Sequence, residues 1–147
     1  MSTMWSGYRK NTFYLMAFDI KLHLIGLFEL SHGSSRESVV SPPQIMQRLF
    51  LCGASAFCIA HNHPSGDVTP SETDDQLTRR IAQVAKICGI DFCDHIIIAG
   101  AHKNVYYSYR ESSALLKLVG GRSRKFGRRN APARVPRSSP AFCPKNR

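Results

Sequence analysis

This 147-residue sequence contains no apolar run that approaches the roughly 20 residues needed to cross a bilayer. Residues 1–6 also lack the basic start and the apolar stretch of a signal peptide. We therefore expect a cytoplasmic protein with no membrane partner. The length suits one domain with a single core, and the sequence gives no indication of an oligomeric state.

Cysteines are few and show no pattern of pairing. There are five of them, an odd number, and their spacing does not repeat, so we expect buried, reduced thiols instead of a disulfide framework. Cys88, Cys93 and His95 do not have the spacing of a structural zinc knuckle. The His-x-Glu and Pro-Cys-x-x-Cys motifs of zinc deaminases are missing as well, which excludes that class of enzyme.

Acidic residues are missing from the end of the chain. Residues 1–116 contain ten Lys and Arg and ten Asp and Glu, whereas residues 117–147 contain ten Lys and Arg and no acid, which accounts for the whole net charge of +10. This segment is low in apolar residues and interrupted by Gly and Pro, so we predict a disordered basic tail over 117–147. The tail could bind nucleic acid weakly and without specificity through phosphate contacts. A solvated tail with no partner is the alternative that we favour, because runs of charge indicate partners only loosely.

The rest of the sequence alternates between strand and helix patterns. Two strands joined by a hairpin come first, a helix capped by Ser41 follows, and a buried strand then leads into a long helix that ends at Gly89. The predicted elements are strands at 12–18, 23–30, 57–60, 95–99 and 105–109 and helices at 42–52 and 70–88. Strands interleaved with two helices predict an α/β domain, with helices packed on a central sheet.

The centre of the chain carries side chains that bind metals in many proteins. His61 and His63 follow the buried strand, and residues i and i+2 at a strand end point to the same side, so both imidazoles can reach one ion. The next helix is predicted to have Thr69 as its N-cap, Pro70 at its first position and Glu72 as the partner in a capping box.

Ser71 and Asp74 lie three residues apart on the first turn of that helix, so they share a face. A catalytic zinc typically has three protein ligands from His and carboxylates and a water at its fourth position, and His61, His63 and Asp74 supply this number. A carboxylate must then accept a proton from the water, and the candidate is Glu29, within the apolar run 24–30. Two alternatives stay open: Glu29 could be a sheet-edge acid paired with a cation, and Ser71 could serve only as a helix cap.

The combined pattern of these residues resembles the JAMM signature of the JAB1/MPN metallopeptidases. The runs 61–71 and 94–98 are similar to the RadC-like branch of that family, and the similarity covers roughly residues 13–111. It implies an N-terminal extension over 1–12 and a RadC-like JAB/MPN metallopeptidase domain over 13–116, a central mixed sheet flanked by helices in a cytidine-deaminase-like architecture. It also implies Zn²⁺ ligands at His61, His63 and Asp74, a general base at Glu29, and an oxyanion-stabilising hydroxyl at Ser71.

The sequence departs from the branch in two places. Members usually carry His-Pro-Arg-Glu before the first helix, where residues 41–44 here read Ser-Pro-Pro-Gln, so substrate contacts by that cation and acid are not expected. Full-length RadC-like proteins also have an upstream helix-hairpin-helix region, which we do not expect in this sequence because residues 1–12 are too few to form one. His95, next to Asp94, is either a group that supports a metal ligand or a core histidine with a hydrogen-bond partner.

The resemblance implies two alternative functions. The first is a zinc-dependent metallopeptidase or isopeptidase that hydrolyses an amide bond of a protein or peptide substrate. The second is a DNA-repair-associated accessory protein that binds nucleic acid and has a structural or vestigial metal site. We favour the first, because the neutral segment 1–116 gives the DNA-repair label no support.

Overall fold

The computed structural model describes residues 12–32, 40–99 and 105–119. In chain order its elements are strand β1 (Thr12–Phe18), strand β2 (Leu24–His32), helix α1 (Pro42–Leu51), strand β3 (Ala56–His63), helix α2 (Glu72–Cys88), strand β4 (Asp91–Ala99), strand β5 (Tyr106–Ser108) and helix α3 (Ala114–Val119). The predicted α/β fold class is confirmed. Residues 1–11 of the predicted extension and residues 120–147 of the predicted disordered tail lie outside the described residues. Residues 117–119 were predicted to be part of that tail, but they form the end of α3.

The described strands form one mixed sheet in the order β2-β1-β3-β4-β5. Strand β1 is antiparallel to both of its neighbours and β5 is antiparallel to β4, whereas β3 and β4 are parallel. Parallel neighbours need a crossover connection, and α2 provides it. The carboxyl end of β3 and the first turn of α2 are therefore joined by the short segment 64–71, and any site built there draws on both elements.

The core lies between one face of this sheet and the helices α1 and α2. Its buried side chains come from β1, β3 and the two helices, and include Phe13, Leu15, Ala17, Phe57, Ile59, Ile45, Leu49, Ile81 and Ala85. On β1 and β3 these are alternate residues, so the odd-numbered side chains face the helices. His61 continues the series two residues beyond Ile59, which brings its buried side chain to the end of the core.

Capping residues set the boundaries of the two long helices. Helix α1 starts after Ser41, and α2 ends at Gly89, whose φ of 70° is left-handed; both boundaries agree with the predictions. The start of α2 differs, because its N-cap is Ser71 and not Thr69. The Thr69 N–H donates to Asp67 Oδ1 at 2.9 Å, a turn contact that holds Thr69 outside the helix. The helices of the described residues are too short or too polar to cross a membrane.

Candidate metal centre

His61 and His63 lie at the carboxyl end of β3 with their rings directed toward each other. Their Nε2 atoms are 2.9 Å apart, and the ring planes are inclined at 59°. His61 is 2% exposed, and Phe13 of β1 stacks on its ring at a centroid distance of 4.5 Å. The two imidazoles therefore converge, as the period of a strand predicts.

Asp74 brings a carboxylate to the same point from the first turn of α2. Its Oδ1 lies 3.1 Å from His61 Nε2, and its Oδ2 lies 3.4 Å from His63 Nε2. The possible ligand atoms of the three residues all lie within 4.8 Å of one another. Ligands placed tetrahedrally at about 2.0–2.1 Å from a zinc ion are about 3.4 Å apart, so the observed separations suit three ligands of one ion.

The turn after β3 determines which nitrogen of His63 carries the proton. His63 Nδ1 lies 2.7 Å from the carbonyl oxygen of Asp67, and a carbonyl only accepts, so Nδ1 is the donor. Gly66 adopts a left-handed φ of 81° within this turn, a conformation that favours glycine. His63 Nε2 therefore presents a lone pair toward His61 and Asp74. A lone pair next to a carboxylate is an arrangement that a cation stabilises.

Ser71 holds the carboxylate of Asp74. The N–H and the hydroxyl of Ser71 donate to Asp74 Oδ2 at 2.8 and 2.6 Å, and the Asp74 N–H donates back to Ser71 Oγ at 3.1 Å. Burial raises the pKa of Asp74, but hydrogen bonds from His61 and Ser71 outweigh burial and hold that pKa below its ordinary value. Asp74 is therefore an anion at the electropositive start of α2. Ser71 acts as a helix cap here, with its hydroxyl proton directed to Asp74.

Glu29 does not join this group. It pairs across β1 with Tyr14, which in turn pairs with Ala60 of β3, whereas the partner of His61 on β1 is Phe13. Cross-strand partners share one face of a sheet and successive residues alternate between faces. Glu29 therefore lies on the face of the sheet opposite His61.

The residues on either side of Glu29 also indicate that it lies on the face of the sheet opposite His61. Phe28 and Leu30 pack against the core, while Glu29 between them is exposed. The expectation that Glu29 lies next to the metal group is corrected here, because a base must be within hydrogen-bond reach of the proton that it accepts. Spacing along the chain did not reveal this, since the run 24–30 is apolar on both of its faces and alternation cannot show which face is inside.

His95 of β4 lies directly behind His61, and it is the residue whose role the sequence left open. Its Nε2 is 2.9 Å from His61 Nδ1, and its Nδ1 is 2.6 Å from Thr78 Oγ1 of α2. His95 and Thr78 are both fully buried. Burial lowers the pKa of His95 to about 3, and the nearby His61 contributes to this effect, so the ring is neutral at neutral pH.

Tyr109 covers the other side of His95. The two rings are stacked, with centroids 5.0 Å apart and planes inclined at only 4°. The Tyr109 hydroxyl donates to Asp75 Oδ1 at 2.7 Å. Burial raises the pKa of Tyr109, and its bond to Asp75 raises it further, so the hydroxyl keeps its proton. Sequence reasoning missed both Thr78 and Tyr109, although Thr78 follows Asp74 by one helical turn.

Most of the chain is similar to one family of known proteins. The family model described as "RadC-like JAB domain" matches residues 1–114, which include His61, His63 and Asp74. The chain belongs to the RadC-like JAB domain family. The described fold, a mixed sheet with helices, agrees with this assignment.

Curated relatives of this RadC-like JAB domain are named UPF0758 proteins. One from Actinobacillus pleuropneumoniae serotype 5b is 35% identical over 102 residues, which is 69% of this chain and 45% of that protein. One from Thermotoga maritima is 36% identical over 101 residues, or 69% of this chain and 44% of that protein. The chain thus spans less than half of the length of these relatives.

Proposed function

We propose that this RadC-like JAB domain is a zinc-dependent hydrolase that cleaves an amide bond in a peptide or isopeptide substrate. The proposal is supported by the meeting of His61, His63 and Asp74, whose ligand atoms have the separations of three ligands of one zinc ion. Three protein ligands leave a fourth position open, which is typical of catalytic and not of structural zinc sites. Bound zinc would supply a water of lowered pKa and would polarise a carbonyl oxygen.

The residues of the chain would present and hold the ligand atoms. His61 and His63 offer imidazole nitrogens, and Asp74 offers an anionic oxygen. Ser71 has a single hydroxyl proton, which it donates to Asp74 Oδ2 at 2.6 Å. Donation to a reaction oxyanion would require Ser71 to give up that bond. We therefore assign Ser71 first to positioning Asp74.

The proposal gives no step to Glu29. Its carboxylate lies on the face of the sheet opposite His61, so it cannot accept a proton at the metal group without a change in the register of β2. Glu29, which the sequence spacing indicated as the general base, is therefore not given that role. We expect that substitution of Glu29 does not affect hydrolysis.

The first test of the proposal is the zinc content of the purified chain. Inductively coupled plasma mass spectrometry should find about one zinc per chain in the wild type and almost none in the double variant His61→Ala, His63→Ala, because removing two of three ligands leaves no chelating site. Peptide and isopeptide substrates would then be screened, with inhibition by a chelator and recovery on adding zinc as controls. A folded wild type that takes up no zinc would contradict the proposal.

A second candidate function follows from the distribution of charge. The segment 117–147 supplies the whole net charge of +10. We propose that this segment makes weak, non-specific contacts with nucleic acid phosphates, and that any DNA-associated role acts through it. Residues 1–116 have no net charge and give nucleic acid no comparable electrostatic attraction.

A further inference from the structure

A buried row of hydrogen bonds connects two members of the metal group behind the site. His61 Nδ1 lies 2.9 Å from His95 Nε2, and His95 Nδ1 lies 2.6 Å from Thr78 Oγ1. Thr78 Oγ1 in turn lies 2.6 Å from the carbonyl oxygen of Asp74, one turn earlier in α2. The exposed fractions of His61, His95 and Thr78 are 2%, 0% and 0%, so solvent does not compete for these contacts.

The directions of the bonds between His95 and Thr78 and between Thr78 and Asp74 follow from the carbonyl group of Asp74, at which the row ends. The carbonyl of Asp74 can only accept, so the single hydroxyl proton of Thr78 is donated to it. Thr78 Oγ1 must then accept from His95, which places the His95 proton on Nδ1.

The state of His61 follows in the same way. A charged imidazole is costly to bury without an anion in contact, so the fully buried His95 has only one ring proton, and its Nε2 is an acceptor. His61 Nδ1 must therefore be the donor to His95, which leaves Nε2 as the ring atom of His61 that is available to a metal ion. That atom is directed at His63 Nε2 and the Asp74 carboxylate.

We propose that His95 and Thr78 are positioning residues that fix the ring and the Nδ1–H tautomer of His61 and couple it to the helical turn that carries Asp74. The inference rests on the proposed function, since the tautomer matters only if the group binds a metal. His63 obtains the same tautomer from the local carbonyl of Asp67, 2.7 Å away. His61 obtains this tautomer from His95 of β4 and Thr78 of α2. One hydrogen-bond network therefore orients His61 and also contacts the helical turn that carries Asp74.

Tyr109 holds the ring of His95 in the orientation that these hydrogen bonds require. Its ring stacks on His95 at an angle of 4°, which prevents the imidazole from tilting away from His61 and Thr78. The Tyr109 hydroxyl is tied to Asp75 of α2, adjacent to Asp74. Rotation of His95 would therefore break its contacts with His61 of β3 and Thr78 of α2.

The first measurement uses the full chain without zinc and needs no variant. Long-range ¹H–¹⁵N spectra of the histidine rings at pH 7.5 distinguish a protonated from an unprotonated ring nitrogen. We expect His61 and His95 each to be protonated at Nδ1, and His95 to be unprotonated at Nε2. A wild type in which His61 Nδ1 carries no proton overturns the inference, whether or not the chain binds zinc.

The second measurement is zinc affinity in a matched pair of variants. Thr78→Val keeps the shape of the side chain and removes the hydroxyl, so we expect the zinc Kd, measured by competition with a chelating dye, to rise about 10–100-fold, the range typical of residues that support metal ligands. Thr78→Ser keeps the hydroxyl and should restore the affinity. Circular dichroism checks that both variants are folded. His95→Phe, which preserves stacking on Tyr109 and removes both ring nitrogens, should weaken zinc binding in the same way and replaces Thr78→Val if that variant does not fold.

The outcomes separate this inference from the proposed function. A wild type that binds zinc tightly while Thr78→Val and His95→Phe bind it equally well overturns the inference and leaves the metal site intact. A wild type that binds no zinc contradicts the proposed function, and it overturns the inference as well, even if the His61 tautomer is the expected one. Weakened zinc binding in Thr78→Val with recovery in Thr78→Ser supports both.

Discussion

His61 Nε2 and Asp74 Oδ1 lie 3.1 Å apart, although one residue ends a strand and the other begins a helix. The contact follows from topology. Strands β3 and β4 are parallel, so the chain must leave the sheet at the carboxyl end of β3 and enter α2 there. The first turn of α2 then meets the last residues of β3, and its electropositive end stabilises the carboxylate of Asp74. The crossover connection thus brings His61 and His63 together with Asp74, which is more distant in the sequence.

Zinc should stabilise the wild-type chain against unfolding. A ligand that binds only the folded state adds about 2.7 kcal/mol to the free energy of unfolding when its free concentration is 100 times its Kd. We expect a higher thermal midpoint in zinc, measured by circular dichroism, and reversal by a chelator. His63→Ala should remove most of this shift, because two ligands hold an ion far less tightly than three.

His23→Ala is the matched control for that measurement. His23 is an exposed histidine whose ring contacts Asp19 at 3.1 Å in the hairpin between β1 and β2. Its substitution should leave the zinc-dependent shift equal to that of the wild type. If His63→Ala retains the full shift, zinc stabilises the chain at some other place and the assignment of the site is wrong.

Ser71→Ala should weaken both α2 and the metal group. Loss of an N-cap costs about 0.5–2 kcal/mol of stability. It also removes the 2.6 Å bond to Asp74 Oδ2, so we expect the zinc Kd to rise about tenfold, measured by competition with a chelating dye. Ser41→Ala, at the N-cap of α1, should affect stability only. An unchanged zinc Kd in Ser71→Ala together with slower hydrolysis would favour the oxyanion role instead.

Much of the fold could be predicted from local sequence patterns. Strand β1 has the predicted bounds Thr12–Phe18, and α2 ends at Gly89 because a left-handed residue stops a helix there. Strand β4 begins at Asp91, four residues before the predicted start at 95, since acids at both ends of the segment 91–94 obscure a strand pattern. The convergence of His61 and His63 follows from the two-residue period alone.

The parts of the site that depend on pairing between distant strands could not be predicted. The face on which Glu29 lies depends on the register of β2 against β1, including an irregularity between Phe13 and Tyr14. The contact of His95 with His61 depends on the pairing of β3 with β4. No local pattern encodes either register. The N-cap of α2 was ambiguous for another reason, because the sequence contains two overlapping capping boxes and the buried Asp74 decides between them.

Neutralising part of the basic tail should weaken any binding to DNA. We would replace five basic residues of the full chain by alanine and measure duplex affinity at several salt concentrations: Arg122, Arg124, Lys125, Arg128 and Arg129. Each side chain that no longer neutralises a phosphate should reduce the slope of log K against log salt by about 0.9. The double variant Arg79→Ala, Arg80→Ala, which removes exposed charges from α2, is the control and should bind like the wild type. An unchanged slope in the tail variant would exclude the tail as the binding segment.

Tyr109→Phe should destabilise the chain with little effect on the metal group. It removes the 2.7 Å hydrogen bond to the Asp75 carboxylate but keeps the ring that stacks on His95. Hydrogen bonds to charged groups contribute about 1.5–3 kcal/mol, so we expect a loss of that size in urea unfolding. The zinc Kd should stay close to that of the wild type. A large rise in Kd would show that Asp75 and the hydroxyl, and not the stacked ring, hold His95 in place.

Glu29→Gln should leave both zinc content and zinc-dependent hydrolysis close to the wild-type values. An exposed substitution outside a site changes free energies by about 0.5 kcal/mol or less, roughly a factor of two in rate. Loss of a general base in contact with the reacting water would instead slow hydrolysis by about 10²–10⁴-fold. Zinc content by mass spectrometry and hydrolysis of a substrate found by screening would be measured on the same samples.

Asp74→Asn is the contrasting variant, because it removes the anionic ligand and should lose zinc and hydrolysis together. Loss of a base, unlike loss of a ligand, slows the reaction while leaving the metal content intact, so the two variants separate a ligand from a proton acceptor. If Glu29→Gln keeps its zinc and loses hydrolysis, the side chain reaches the reacting water. In that case β2 must pair with β1 in a register different from the one that sets Glu29 opposite Tyr14.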